Sequence, residues 1–165
     1  MKKHFYIFCL LSSTLLFMGC PYSSKVTFED QPTEKVNEAY FGNYEKKGST
    51  TYTYELLKET SKTYLIKEKS NTGTSVYYYI GYIIKIDETD FLITYEKPKE
   101  GKEISKYYFY KFEGSKSGSM FTLSEVTENI KEQFNDPKEL RNYFKKYKDI
   151  SFFYDKTETK YYRLD

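Results

Sequence analysis

The feature that most constrains this chain is a series of short β-type runs joined by connections of only a few residues. Between residues 40 and 126 the runs are rich in Tyr, Ile, Val, Thr and Phe, and Gly, Pro, Asn or Asp mark the connections. A parallel crossover needs a dozen or more residues, so these gaps predict an antiparallel meander. The predicted strands are 40–45, 51–58, 63–67, 76–86, 91–96, 104–112 and 120–126, with 151–154 and 159–164 near the carboxyl end.

Alternation within the longest run, 76–86, indicates a strand with one face turned to the core. Val76, Tyr78, Ile80, Tyr82, Ile84 and Ile86 share one parity and form the predicted buried face. The opposite face carries Tyr77, Tyr79, Gly81, Ile83 and Lys85. Both faces are apolar enough for a central position in the sheet.

One helix is predicted at about 136–147. Asp136 and Pro137 fit the N-cap and the first helical position, and Glu139 lies three residues after the cap. Leu140, Tyr143, Phe144 and Tyr147 follow at helical spacing. The expected fold class is mainly β, an antiparallel meander that closes into a small barrel, with this helix packed on the sheet.

The amino terminus predicts an export signal. A short basic stretch, residues 1–4, precedes an apolar run from Phe5 to Met18, which is 14 residues long. A helix that spans a bilayer needs about 20 apolar residues, so a secretory signal explains this segment better than a membrane span.

The end of that signal, residues 15–20, resembles the lipobox of bacterial lipoprotein precursors, with Gly19 and Cys20 at the junction. The resemblance implies cleavage between these two residues and a diacylglyceryl group on the Cys20 thiol. Cys9 lies in the signal, so Cys20 has no intramolecular disulfide partner after export. The expected organisation is a signal peptide over 1–19, a lipidated cysteine with a flexible tether over 20–38, and a β-barrel domain over 39–165.

This organisation predicts a protein of the cell envelope, bound to a membrane through the lipid on Cys20. Pro21 rather than Asp follows the cysteine. The inner-membrane retention signal of bacteria with two membranes is therefore absent, which favours the outer membrane where the cell has one.

The composition argues against several classes of function. The chain has 26 Lys+Arg and 24 Asp+Glu, and loss of Lys2 and Lys3 with the signal leaves 24 of each. A neutral domain argues against nucleic acid as a partner. His4 is the only histidine and there is no Trp, so the mature chain lacks the side chains of Ser/His or Cys/His catalysis and of His/Cys metal sites. We expect no enzyme activity, no cofactor and no metal.

Two short patterns resemble known families. Gly19-Cys20-Pro21-Tyr22 is similar to the start of small bacterial lipoproteins of unassigned activity. Gly42-Asn43-Tyr44 and Arg163 look like the lipocalin-like pattern, in which a Gly-x-Trp in the first strand sits at the closed end of an eight-stranded barrel under an Arg from near the carboxyl end. The resemblance implies a lipocalin-like barrel with Tyr44 and Arg163 paired at its end.

The 20 tyrosines suit either a recognition surface or ordinary strand formation. If a ligand cavity exists, Tyr78, Tyr82, Tyr108 and Tyr110 are the candidates to line it. Two hypotheses stay close together: a lipocalin-like module that binds a small apolar or amphipathic ligand, and an envelope lipoprotein that acts as an inhibitor, a structural protein or a partner of another envelope protein. An enzyme is a more distant third. A wide cavity would favour the first, and a filled barrel with an exposed aromatic patch the second.

Overall fold

The computed structural model describes residues 21–28, 32–127 and 129–164. This part of the chain forms nine strands: β1 (Ser23–Ser24), β2 (Gly42–Lys46), β3 (Tyr52–Lys58), β4 (Tyr64–Ser70), β5 (Val76–Ile86), β6 (Thr89–Glu96), β7 (Tyr107–Gly114), β8 (Met120–Glu125) and β9 (Thr159–Arg163). One α-helix, α1 (Pro137–Tyr147), and two 3-10 turns, Glu38–Tyr40 and Ser151–Phe153, complete it. In these ranges no helix combines the length and the apolar character needed to cross a bilayer.

The strands β2 to β9 form a closed antiparallel ring. Each strand from β2 to β8 pairs with the next along the chain, and β9 then enters between β8 and β2. β1 stays outside the ring and pairs with the start of β7, with Ser23 opposite Tyr108. The predicted mainly β fold, an antiparallel meander that closes into a small barrel, is therefore confirmed. Closure leaves the eight ring strands without a free edge.

The helix α1 begins where the sequence predicts. The Asp136 carboxylate accepts hydrogen bonds from the backbone N–H groups of Lys138 (2.7 Å) and Glu139 (3.1 Å), and Pro137 opens the first turn. The helix buries Leu140 and Phe144 against the outside of the barrel. Lys145 pairs with Asp87 at 3.1 Å, which ties the helix to the β5–β6 turn.

The apolar residues form two clusters, one on each side of the sheet. The inner cluster fills one end of the barrel and contains Tyr40, Tyr44, Leu56, Tyr64, Leu92, Phe121 and Leu123. The outer cluster lies between the sheet and α1 and contains Tyr22, Phe28, Tyr82, Ile84, Ile86, Phe91, Ile93, Phe109, Val126, Leu140, Phe144 and Phe153. Phe144 is central to it, with ring centroids 4.6 Å from Phe28 and 5.0 Å from Phe153.

Both faces of β5 pack against other parts of the protein. The face predicted to be buried lies on the outside of the barrel and not in its interior. Tyr82, Ile84 and Ile86 belong to the outer cluster, whereas Val76 and Tyr78 of the same face are 40% and 45% exposed. Tyr79 and Ile83, on the opposite face, line the interior. The alternation locates two faces, but only the helix and the amino-terminal segment decide which one lies outside the ring.

Two segments near the ends of the barrel differ from the sequence prediction. Residues 21–28, assigned to the flexible tether, pack on the barrel: Tyr22 and Phe28 are buried in the outer cluster, and β1 pairs with β7. Residues 151–154 do not form a strand. The Phe153 N–H instead closes a turn on the Ile150 carbonyl at 3.0 Å, because that turn inserts the Phe153 ring against Phe144.

Candidate functional site

The barrel encloses a cavity of ≈ 410 Å³. Inward-facing side chains of seven of the ring strands, β3 to β9, line it, together with Tyr40 and Pro21. Its two ends differ in character. One end is the inner cluster of buried aromatic and aliphatic side chains. The other carries tyrosines and three carboxylates, Glu68, Glu96 and Glu125.

The apolar end is closed by a short crossing segment. The 3-10 turn Glu38–Tyr40 lies across it, and Arg163 fixes this turn by donating hydrogen bonds to the carbonyls of Ala39 and Phe41, the latter at 2.7 Å. The hydroxyl of the fully buried Tyr44 donates to the Gly118 carbonyl at 2.6 Å. The Arg163 guanidinium carbon lies 5.6 Å from the centroid of the Tyr44 ring.

Two glycines allow this close packing. Gly118 has φ +68°, and a Cβ built there would lie 1.8 Å from the Ala39 carbonyl oxygen. Gly42 has φ +140°, and a Cβ there would lie 3.2 Å from Arg163 Nε. A side chain at either position would strain the backbone. At Gly118 it would also displace the crossing segment, and at Gly42 it would press on the Arg163 side chain.

The opposite end is more open to solvent. Glu96 and Tyr77 are exposed there, whereas Tyr44 at the closed end is inaccessible. Each carboxylate stands directly across from a tyrosine of the neighbouring strand: Glu68 faces Tyr54, Glu96 faces Tyr79, and Glu125 faces Tyr110. Residues in direct cross-strand register project to the same face of a sheet. The open half therefore combines aromatic rings, hydroxyl groups and carboxylates.

Burial raises the pKa of two of these carboxylates and of several tyrosines. Desolvation raises the pKa of Glu68 and of Glu125 above the usual carboxyl value, and Asp155 adds to the rise at Glu125 while Lys46 opposes it. Desolvation also raises the pKa of Tyr54 to about 12. The pKa values of Tyr110 and Tyr161 are raised further by burial and by nearby Glu125. The tyrosines are therefore neutral at physiological pH.

A metal-binding cluster and a second cleft are the other features that could support chemistry. Within the described ranges, no three His, Cys, Asp or Glu side chains converge closely enough to hold a metal ion. A wider cleft of ≈ 1250 Å³ lies on the outside of the barrel and is lined largely by residues 148–160 with Lys111 and Ser124. Its lining mixes Lys, Asp and Glu side chains and lacks the enclosure of the ring.

Of the four tyrosines predicted to line a cavity, two do so and two lie elsewhere. Tyr108 and Tyr110 line it. Tyr78 is 45% exposed on the outer surface, and Tyr82 is buried in the outer cluster, where its hydroxyl bonds with Thr27 at 2.7 Å. Tyr44 and Arg163 lie in contact at the closed end. Gly19 and Cys20 lie outside the described residues.

Sequence reasoning missed the residues that give the open half its character: Tyr54, Tyr79, Tyr161, Glu68, Glu96 and Glu125. A signal for two of them was present. Glu68 shares the parity of Tyr64 and Ile66, and Glu125 shares that of Phe121 and Leu123. A carboxylate at the inward parity of an apolar strand marks a polar position inside the barrel.

Comparisons with known proteins identify no relative of this chain. No family model, no curated protein and no solved structure matches this chain. The closed antiparallel barrel and its two-part cavity are therefore the basis for any assignment of function.

Proposed function

We propose that the protein is a lipid-anchored bacterial envelope lipoprotein whose lipocalin-like barrel binds one small apolar or amphipathic molecule. The cavity carries this proposal. Eight-stranded barrels are either filled by their own side chains or hold one small ligand, and a volume of ≈ 410 Å³ falls in the range of small-molecule sites.

The lining supports an amphipathic occupant. Leu92, Phe121 and Tyr64 offer buried apolar surface at the closed end, where burial of a ligand's hydrocarbon part contributes about 25 cal/mol per Å². Tyrosine hydroxyls and carboxylates at the open end offer hydrogen-bond partners for a polar group. The pairing of Arg163 with Tyr44 supports the lipocalin-like assignment, and the motif at residues 15–20 supports the anchor.

A fluorescence titration tests ligand binding. The chain has no Trp, so Ile66→Trp introduces a single fluorophore into the cavity lining, and Tyr78→Trp introduces the same fluorophore on the outer surface as a control. Both variants of the full chain are placed in phosphatidylcholine nanodiscs and titrated with 1-adamantanemethanol, an uncharged and non-fluorescent probe. We expect a saturable change in emission for Ile66→Trp and none for Tyr78→Trp, after subtraction of empty nanodiscs.

Native mass spectrometry provides the complementary test. The full chain recovered from its own envelope is expected to carry a small molecule as a discrete mass increment. A clean mass for the unliganded chain, together with no saturable response in the titration, would contradict the proposal.

The exposed start of β5 favours a second candidate function, contact with another envelope protein. Val76, Tyr77 and Tyr78 are consecutive and 40–48% exposed, and aromatic side chains of this kind are common in recognition surfaces. Val76→Ser with Tyr78→Ser, both on the outer face of β5, would then abolish binding of that partner and leave the probe titration unchanged.

A further inference from the structure

The open half of the cavity has an unbalanced charge. Glu68, Glu96 and Glu125 line it, and none of the described residues that line the cavity is Lys, Arg or His. We propose that the ligand is a small organic cation, with a protonated amine at the carboxylates and an apolar body at the closed end. This inference rests on the proposed ligand-binding function and names the class of ligand.

Carboxylates elsewhere on this barrel have cationic partners. Glu55 pairs with Lys69 at 3.1 Å, Asp90 with Lys85 at 3.2 Å and Glu59 with Lys97 at 2.7 Å. Lysine is therefore available along the strands and is used on the outer surface. Among the described residues no lysine forms an ion pair with Glu68, Glu96 or Glu125, although Lys46 acts on Glu125 from a longer distance. The interior carboxylates are therefore available to a cation from outside.

Glu68 is the clearest case. Across the ranges that the structure describes, its carboxylate forms no hydrogen bond or ion pair with another residue, and burial is the cause of its raised pKa. A half-buried carboxylate without a partner costs free energy in the empty protein. A ligand ammonium beside it would offset that cost more fully than a neutral hydrogen-bond donor, and an anionic ligand would add to it.

The three carboxylates are distributed so that they surround a central ligand. They lie on β4, β6 and β8, which alternate around the ring of eight strands. β4 and β8 are four strands apart and therefore form opposite walls. A cation on the barrel axis would be attracted from both walls and from β6 between them.

Aromatic rings strengthen the same preference. Tyr54 and Tyr161 meet edge to face, with centroids 5.1 Å apart, between the β4 and β8 walls. The face of a tyrosine ring carries negative potential and attracts ammonium groups. Because these tyrosines stay neutral, the carboxylates are the charged groups among the described residues of the lining.

A matched set of probes tests the charge preference. The Ile66→Trp chain in phosphatidylcholine nanodiscs is titrated at pH 7 with 1-adamantanemethanol, 1-adamantanemethylammonium and 1-adamantanecarboxylate. These share one hydrocarbon cage and differ in charge. We expect the ammonium to bind roughly tenfold more tightly than the alcohol, a typical effect of one favourable charge interaction, and the carboxylate to bind most weakly.

Substitution of the carboxylates identifies the source of the preference. Glu68→Gln with Glu125→Gln is expected to reduce the advantage of the ammonium over the alcohol to less than about threefold. Glu55→Gln, the same change on the outer face of the adjacent strand, should leave the advantage intact. Unchanged binding of the alcohol in each variant shows that the cavity is preserved.

The outcomes separate the two proposals. If the alcohol binds and the ammonium has no advantage, or if the advantage survives the double substitution, the cationic ligand is refuted and the binding function stands. If Ca²⁺ displaces the ammonium at millimolar concentration, a metal ion rather than an organic cation is the occupant, and the inference fails. If none of the three probes binds saturably and the chain recovered from its own envelope carries no small molecule, the binding function itself fails.

Discussion

Arg163 lies over the ring of Tyr44 and donates a hydrogen bond to its hydroxyl at 3.2 Å, although 119 residues separate them in sequence. The two residues are also directly opposite in the β2–β9 pairing. This contact joins the last strand of the ring to the first at the point where the ring closes. Arg163 also holds the turn that covers the closed end, so one side chain fixes both closure and cover.

Loss of Arg163 should therefore destabilise the barrel strongly. Arg163→Ala removes its hydrogen bonds to Ala39, Phe41 and Tyr44, and we expect a loss of about 2–4 kcal/mol in the free energy of unfolding. Arg163→Lys should recover only part of this, because an ammonium cannot reproduce the planar fork. Urea denaturation measures both.

The control is Lys160→Ala, an exposed position on the same strand, β9. Its effect should stay within about 0.5 kcal/mol. Equal urea midpoints for Arg163→Ala and Lys160→Ala would show that Arg163 does not hold the closed end.

Two glycines with similar backbone angles should respond differently to alanine. Gly118 has φ +68° and Gly48 has φ +76°, so each substitution incurs about 1–2 kcal/mol of backbone strain. Gly48 has open space around it, whereas a Cβ at Gly118 would overlap the Ala39 carbonyl. We expect Gly118→Ala to lose at least about 3 kcal/mol of unfolding free energy.

The comparison isolates packing from backbone strain. The unfolding free energies of Gly118→Ala and Gly48→Ala, measured by thermal and urea unfolding, should differ by at least about 1 kcal/mol. If both variants lose the same free energy of unfolding, the close approach of the crossing segment to Gly118 does not contribute to stability.

Glu68 and Glu55 should affect the pH dependence of stability with opposite signs. Burial raises the folded-state pKa of Glu68, so its contribution to stability is full below the unfolded pKa and is lost as pH rises through the folded value. Lys69 and Lys67 lower the pKa of Glu55. Its contribution is therefore present above the unfolded pKa and is lost as pH falls through the folded value.

At pH 7 Glu68→Gln should accordingly stabilise the protein, and Glu55→Gln should destabilise it by about 0.2–1 kcal/mol, the usual range for such pairs. Both differences should shrink as the pH approaches 4. Urea unfolding at pH 7.5, 5.5 and 4 measures them. A shift of the same sign for both variants at pH 7.5 would contradict the assigned environments.

Acyl labelling tests the anchor. Cys20→Ala should abolish incorporation of radiolabelled palmitate and cause accumulation of the unprocessed chain, and globomycin should block processing of the wild type. Cys9→Ala is the matched control, since it removes the other cysteine and should leave labelling intact. Labelling that persists in Cys20→Ala would rule out the lipidation site.

The fold was predictable because its local signals agree with its global arrangement. Connections too short for a crossover require antiparallel neighbours, and Asp136-Pro137 places the start of α1 where it lies. The Tyr44–Arg163 contact could be anticipated from the resemblance alone, since nothing in the local sequence joins residues 119 apart.

The cavity was less predictable, because period two describes two faces of a strand without saying which is inside. Tyr79 and Tyr82 lie three positions apart on β5, yet Tyr82 packs in the outer cluster and Tyr79 lines the interior. The choice depends on where the helix and residues 21–28 dock, which is a tertiary contact. Inward carboxylates such as Glu68 contradict the usual apolar pattern, so a prediction based on apolar alternation does not place them in the cavity.

The pairing of β1 with β7 has a consequence for how an anchored barrel would exchange its ligand. Pro21 lines the cavity, and the N–H of Tyr22 bonds the Val126 carbonyl at 3.0 Å, directly after Glu125. A lipid on Cys20 would thus be attached to the residue that directly precedes Pro21 in the sequence. The barrel would then be held close to the membrane surface, and its acidic opening would be in contact with the headgroup layer. An amphipathic cation that accumulates in that layer would then reach the barrel by lateral diffusion in two dimensions, and its surface density would set the rate of capture.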